Sequence, residues 1–252
     1  MSLLDGYIRL QDPGRPDNNG IPDPSNRKVY FGHSVTNEAG PAADAMLDTG
    51  VTISFRARVA SGDPSDPMYP RPDGDGENQT LPAGTAWPAG GNGYLGHDDG
   101  KGNFSVRQLT NDSIISFSLA LASESMKDND ATTTFGDVGG QAGLVMNNLV
   151  TDGDCDPWEN DGNGESLNIL PLDPTEWHEY WITIEVDTTG TGTHLVKVYL
   201  DGSLTSNDFI VSAGSGSDYN DSYIGMGLGA SGQMGAIDVD YFSYTLGVVA
   251  PY

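Results

Sequence analysis

The chain has 252 residues, with 36 Asp and Glu against 11 Lys and Arg and a formal charge of −25, a field that repels nucleic acid phosphates and anionic membrane surfaces. Hydrophobic residues make up 37% of it beside 34 Gly and 15 Pro, a balance too apolar for disorder and too turn-rich for a helical bundle. At this length an all-β chain can still form one domain, here spanning residues 1–252.

The first clear element is Val51–Val59, where Val51, Ile53, Phe55, Ala57 and Val59 alternate onto one face and Arg56 and Arg58 project from the other. Residues 61–102 follow as a long insertion dense in Pro, Gly and Asp that carries Tyr69, Trp87, Tyr94 and His97; connections of that length are usually functional. Strands are then predicted over 113–122, with Ile115, Phe117, Leu119 and Leu121 alternating, and over 143–150.

Residues 177–187, a Thr-Gly turn at 188–193 and His194–Leu200 read as a β-hairpin that ends at Asp201-Gly202. Tyr180, Ile182, Ile184 and Val186 face inward on its first strand, and Val196, Val198 and Leu200 on its second. Two further strands are predicted over 223–230 and 236–245, and no stretch shows the period of an amphipathic helix of ordinary length. Many short strands separated by turn signals indicate an antiparallel β-sandwich or barrel.

Three segments resemble the concanavalin A-like, laminin-G-like jelly-roll superfamily: Trp177-His178 opening a strand, Val198-Tyr199-Leu200-Asp201-Gly202 after the hairpin, and Gly235-Ala236-Ile237-Asp238-Val239-Asp240-Tyr241. The resemblance implies an all-β jelly-roll sandwich of two stacked sheets, in which the closing strand pairs beside an N-terminal one, here Tyr7-Ile8-Arg9-Leu10. The superfamily includes lectins, carbohydrate-binding modules, glycoside hydrolases, polysaccharide lyases and adhesion modules, so the fold alone selects no activity.

The sharpest local signal is the run 152–165, in which Asp152, Asp154, Asp156, Glu159 and Asp161 alternate with Gly, Asn and a Pro. Calcium takes six to eight oxygens, and such a turn can curl carboxylates and carbonyls around one ion, although Pro157 stands where an EF-hand loop has Gly. Asp17, Asn19 and Asp23 in the N-terminal loop form a second calcium candidate. The run 73–77 is a third. The four His residues are scattered without zinc-ligand spacing.

Asp238 and Asp240, or Glu185 and Asp187, lie two apart on a strand, near the separation that glycosidases need between their carboxyl groups. The Glu-x-Asp-x-x-Glu pattern of laminarinase-like hydrolases is absent from the chain. Arg56, Arg58, Arg107, Gln108, His97 and Tyr94 supply the residue types of a lyase of this fold. A binding module requires less, because an aromatic platform rimmed by polar groups suffices for a sugar; Arg56, Arg58, Trp87, Tyr94 and Trp181 are its candidate residues.

The reading that follows is a non-catalytic, calcium-stabilised carbohydrate-binding or adhesion module, secreted or at the cell surface, with a polysaccharide or glycan as partner. Two alternatives stand beside it: a divergent glycoside hydrolase or polysaccharide lyase, and a self-assembling subunit of a surface layer or filament. No apolar run approaches the roughly 18 residues of a membrane span, residues 1–4 lack a leader pattern, and the lone Cys155 leaves the redox compartment unmarked.

Overall fold

The computed structural model describes residues 2–4, 6–12, 15–16, 22–23, 29–59, 94–95, 104–120, 143–146, 169–174, 176–215, 220–228 and 235–252. In chain order the strands are β1 (Ser2–Leu4), β2 (Tyr7–Asp12), β3 (Arg15–Pro16), β4 (Pro22–Asp23), β5 (Val29–Ser34), β6 (Val51–Val59), β7 (Tyr94–Leu95), β8 (Phe104–Gln108) and β9 (Ser113–Ala120). They continue as β10 (Gly143–Met146), β11 (Ile169–Pro171), β12 (His178–Val186), β13 (His194–Leu200), β14 (Asn207–Val211), β15 (Gly214–Ser215), β16 (Tyr223–Leu228) and β17 (Gly235–Leu246).

Two antiparallel sheets contain nearly all of them. One has seven strands in the order β1-β2-β17-β6-β12-β13-β14, and the other runs β11-β10-β9-β8-β16-β5 with β7 and β15 also paired to β9. This is the all-β sandwich of two antiparallel sheets that the sequence predicts. Its two most distant segments meet as expected: Leu10 on β2 lies opposite Ile237 on β17, which on its other side runs along β6 from Val59 to Val51.

Alternation explains why the sheets stack. Val51, Ile53, Phe55 and Ala57 on β6, Tyr180, Ile182 and Ile184 on β12, and Val196 and Val198 on β13 all point into one core. Phe55 from the seven-stranded sheet stacks on Phe104 from the other at 4.2 Å and on its neighbour Tyr180 at 4.8 Å. Phe117 stacks behind Phe104 at 5.4 Å, so an aromatic column joins the layers and locks their spacing.

Between β5 and β6 the chain makes three helical turns, α1 (Val35–Ala39), a 3₁₀ turn (Gly40–Ala45) and α2 (Met46–Thr49). Each is too short to show a period in sequence. They plug one end of the core with Val35, Ala43, Met46 and Leu47, and Gln108 fastens them by accepting the Leu47 and Asp48 N–H groups at 2.7 and 3.2 Å.

The hairpin motifs form one mechanical unit. The Asp187 carboxylate accepts the N–H groups of Thr189, Thr191 and Gly192 and the Thr189 hydroxyl, which shapes the turn. Donation from Gly192 and Thr189 holds that carboxyl down at about 2. At the next turn Asp201, with φ of +52°, accepts the Glu179 N–H, and its other oxygen lies 2.7 Å from His178 Nδ1. The Trp-His and Asp-Gly signatures, 23 residues apart at His178 and Asp201, therefore touch.

Val186, expected to face inward, lies at the hairpin end with an exposed side chain, because the strand outruns the core there. Strand segments expected at 121–122, 147–150 and 229–230 fall outside the described residues.

Candidate functional site

Period two sends Arg56, Arg58, Glu179, Trp181, Asp238 and Tyr241 to the outer face of the seven-stranded sheet. Register then assembles them: Asp238 lies directly between Arg9 on β2 and Arg58 on β6, and Arg56 lies between Tyr241 on β17 and Glu179 on β12. The shift of register between Val239 and Tyr241 makes Asp240 the extra residue of a bulge, from which it reaches Arg56 Nη1 at 2.9 Å.

Asp238 is fully buried although it lies on this outer face. Arg9 grips it with two contacts, Nε to Oδ1 at 2.6 Å and Nη2 to Oδ2 at 2.9 Å, and Arg58 adds its Nε at 3.1 Å. Three charge-assisted hydrogen bonds offset the desolvation of the carboxylate.

Above the arginines lies an aromatic pair. The Trp177 ring sits 4.9 Å from the Arg56 guanidinium and 4.7 Å from that of Arg58, and Tyr7 meets Trp177 edge-on at 5.4 Å. Arg58 is also 5.8 Å from the Tyr7 ring. These are cation–π distances, and they hold the guanidiniums in place. The patch stays partly open, with Arg56 41% and Arg58 26% exposed. Burial, followed by Glu179 nearby, raises the Tyr241 phenol above its ordinary value, so it stays a neutral donor.

Further along the same face the chain folds back over the sheet. Thr52 Oγ1 donates to the Gly247 carbonyl and accepts the Val249 N–H, both at 2.8 Å, and the Trp181 indole N–H donates to the Val249 carbonyl at 2.7 Å. The segment 247–249 is thus a strap that uses up the polar end of Trp181.

The structure brings Arg56, Arg58 and Trp181 onto one face and places Tyr94 in the other sheet, where its backbone pairs with Ala120. Trp87 lies outside the described residues, as do Asp152, Asp154, Asp156, Glu159, Asp161, Asp17 and Asn19, and Asp23 is described only as backbone in β4. Among the described residues no three His, Cys, Asp or Glu side chains gather as metal ligands. Tyr7, Arg9 and Trp177 were not singled out as site residues, since their convergence depends on pairing across four strands; the signal in sequence was the Trp-His motif itself.

The acid and base types considered for catalysis have structural partners. Glu185 is bound by Lys197 at 2.5 Å, and Asp187 is consumed by its turn. Arg107 is buried and donates to Asp112 and to the Asp221 carbonyl, both at 2.6 Å, while Gln108 holds the helical plug. His97 falls outside the described residues. A separate cluster at the edge of the sandwich joins the sheets: the Tyr244 hydroxyl donates to Glu38, which also lies 2.6 Å from His33 Nε2. Those contacts, the Tyr244 one first, lower the Glu38 carboxyl, and burial pushes the Tyr244 phenol up to about 12.

No family model matches the chain, and no curated protein does. Solved structures to which the chain is similar include a functionally unknown protein from Saccharomyces cerevisiae, at 10% identity and a TM-score of 0.36, covering 98% of this chain and 92% of that one. A polysaccharide lyase of family 18 matches at 10% identity and 0.38, over 96% and 88% of the two chains. A carbohydrate esterase from the Shiga toxin-encoding bacteriophage phi24B matches at 12% and 0.36, over 97% and 89%. At this distance the neighbours assign no activity to the chain. No helix among the described residues is long and apolar enough to cross a membrane.

Proposed function

We propose that the protein is a carbohydrate-binding or adhesion module, stabilised by calcium and working outside the cell, that takes a glycan on the outer face of its seven-stranded sheet. The observation that carries this reading is the half-open patch of Arg56, Arg58, Tyr7 and Trp177, rigidly held by Asp238 and Asp240. Aromatic edges and fixed guanidinium donors suit the C–H faces and hydroxyls of a sugar. Preorganisation of the arginines lowers the entropy that binding would otherwise cost.

Calcium is proposed at the acidic run holding Asp152, Asp154, Asp156, Glu159 and Asp161, and at Asp17, Asn19 and Asp23, on the strength of their oxygen count. An array of plant, algal and microbial polysaccharides probed with calcium present tests the module: binding that Trp177→Ala abolishes without unfolding is the expected result, and no binding to any polysaccharide rejects the reading. Chelation tests the metal independently. A cation bound only by the folded chain raises its stability, so removal lowers the melting temperature, and an unchanged melting curve rejects calcium.

A further inference from the structure

Arg58 is engaged on one side only. Its Nε touches Asp238, a carboxylate that Arg9 already grips with two nitrogens, whereas Nη1 and Nη2 of Arg58 make no hydrogen bond among the described residues. Those two nitrogens carry four N–H donors, and the guanidinium carbon they flank lies 4.7 Å from the Trp177 ring and 5.8 Å from the Tyr7 ring, with the side chain 26% exposed. Arg56 is flanked instead by the carboxylates of Asp240 and Glu179, which makes it the less favourable partner for an anion.

Building on the glycan reading above, we infer that Arg58 forms a subsite for the carboxylate of an acidic sugar, a uronic acid residue in the bound glycan. A planar guanidinium edge matches a carboxylate bidentately, in a way that a point charge does not. Asp238 holds the guanidinium through Nε and leaves the Nη1–Nη2 edge unused among the described residues. The charge of −25 does not forbid such a ligand, because beyond about 8 Å the other carboxylates are screened at physiological ionic strength. Trp177 and Tyr7 would contact the sugar ring beside the carboxylate, which ties recognition of charge to recognition of shape.

Matched pairs of oligosaccharides separate this inference from the reading it rests on. Oligogalacturonate, oligomannuronate and hyaluronan fragments, each beside the same fragment with its carboxyl groups reduced to alcohols, are titrated calorimetrically into the full chain with calcium present. At least one acid is expected to bind about tenfold or more tighter than its reduced partner, the size of a lost charge-assisted contact. Arg58→Gln is expected to erase that difference, and Arg58→Lys, which keeps the charge but not the fork, to leave part of it.

Equal binding of the acid and reduced members overturns the carboxylate subsite while the glycan reading stands. Failure of every glycan, here and on the array, overturns both. Melting curves of the two variants report folding, and should Arg58→Gln not fold, the wild-type ratio and Arg58→Lys decide the question.

Discussion

At the scale of single residues, two buried polar groups carry the clearest consequences. Asp238 links the guanidiniums of Arg9 and Arg58 across β2, β17 and β6. Replacement by Ala removes the anion and leaves two arginines crowded together, so Asp238→Ala is expected to cost about 2–4 kcal/mol in urea unfolding. A loss within a few tenths of a kcal/mol of zero would show that the clamp contributes little.

His194 behaves differently. It is buried at the start of β13 with Nδ1 2.8 Å from the Thr193 hydroxyl, and burial lowers its affinity for protons, with Asp48 and the Leu47 backbone acting the other way. The unfolded chain therefore takes up this proton first as the pH drops. The stability linked to His194 is complete above its ordinary value of 6.5 and drains away as the pH falls toward the lower folded value. Unfolding curves between pH 7 and pH 5 should show that slope in the wild type and a flatter one in His194→Gln.

At the scale of elements, the strap over Trp181 depends on Gly50. With φ of +92° this residue occupies a conformation that side chains resist, and a Cβ there would fall 2.5 Å from Val248 Cγ2. Gly50→Ala is expected to cost about 1–2 kcal/mol and to push the strap off its hydrogen bonds. Trp181 would then lose its indole acceptor, a change visible in tryptophan fluorescence and near-UV circular dichroism.

The longest strands were legible in the sequence, whereas β5, β8 and β14 were not singled out there. Val51–Val59 and His194–Leu200 match the observed strands residue for residue, because one face is core and the other polar, which imposes a strict alternation. The segment from Val35 to Thr49 was not legible as helix, since four to six residues carry no period and burial there comes from tertiary contact with Gln108. For the same reason the site was half visible. Alternation alone places Arg56 and Arg58 outward, but that Arg9 and Trp177 join them is a fact of register between strands more than a hundred residues apart.

At the scale of the whole molecule the dominant quantity is charge. Mutual repulsion among 36 carboxylates opposes compaction, so the melting temperature is expected to rise as sodium chloride increases from about 10 to about 500 mM. A calcium site adds a further rise at constant ionic strength that magnesium does not reproduce, and identical curves in the two cations would argue for screening alone. β17 has a consequence of its own. It follows β2 and β6 far along the chain, yet it sits inside the sheet, hydrogen-bonded to β2 on one side and β6 on the other. Until residue 246 emerges, those two earlier strands flank an empty slot with unsatisfied backbone groups on both walls. An extended segment from another polypeptide that paired in that slot would block closure of the sheet.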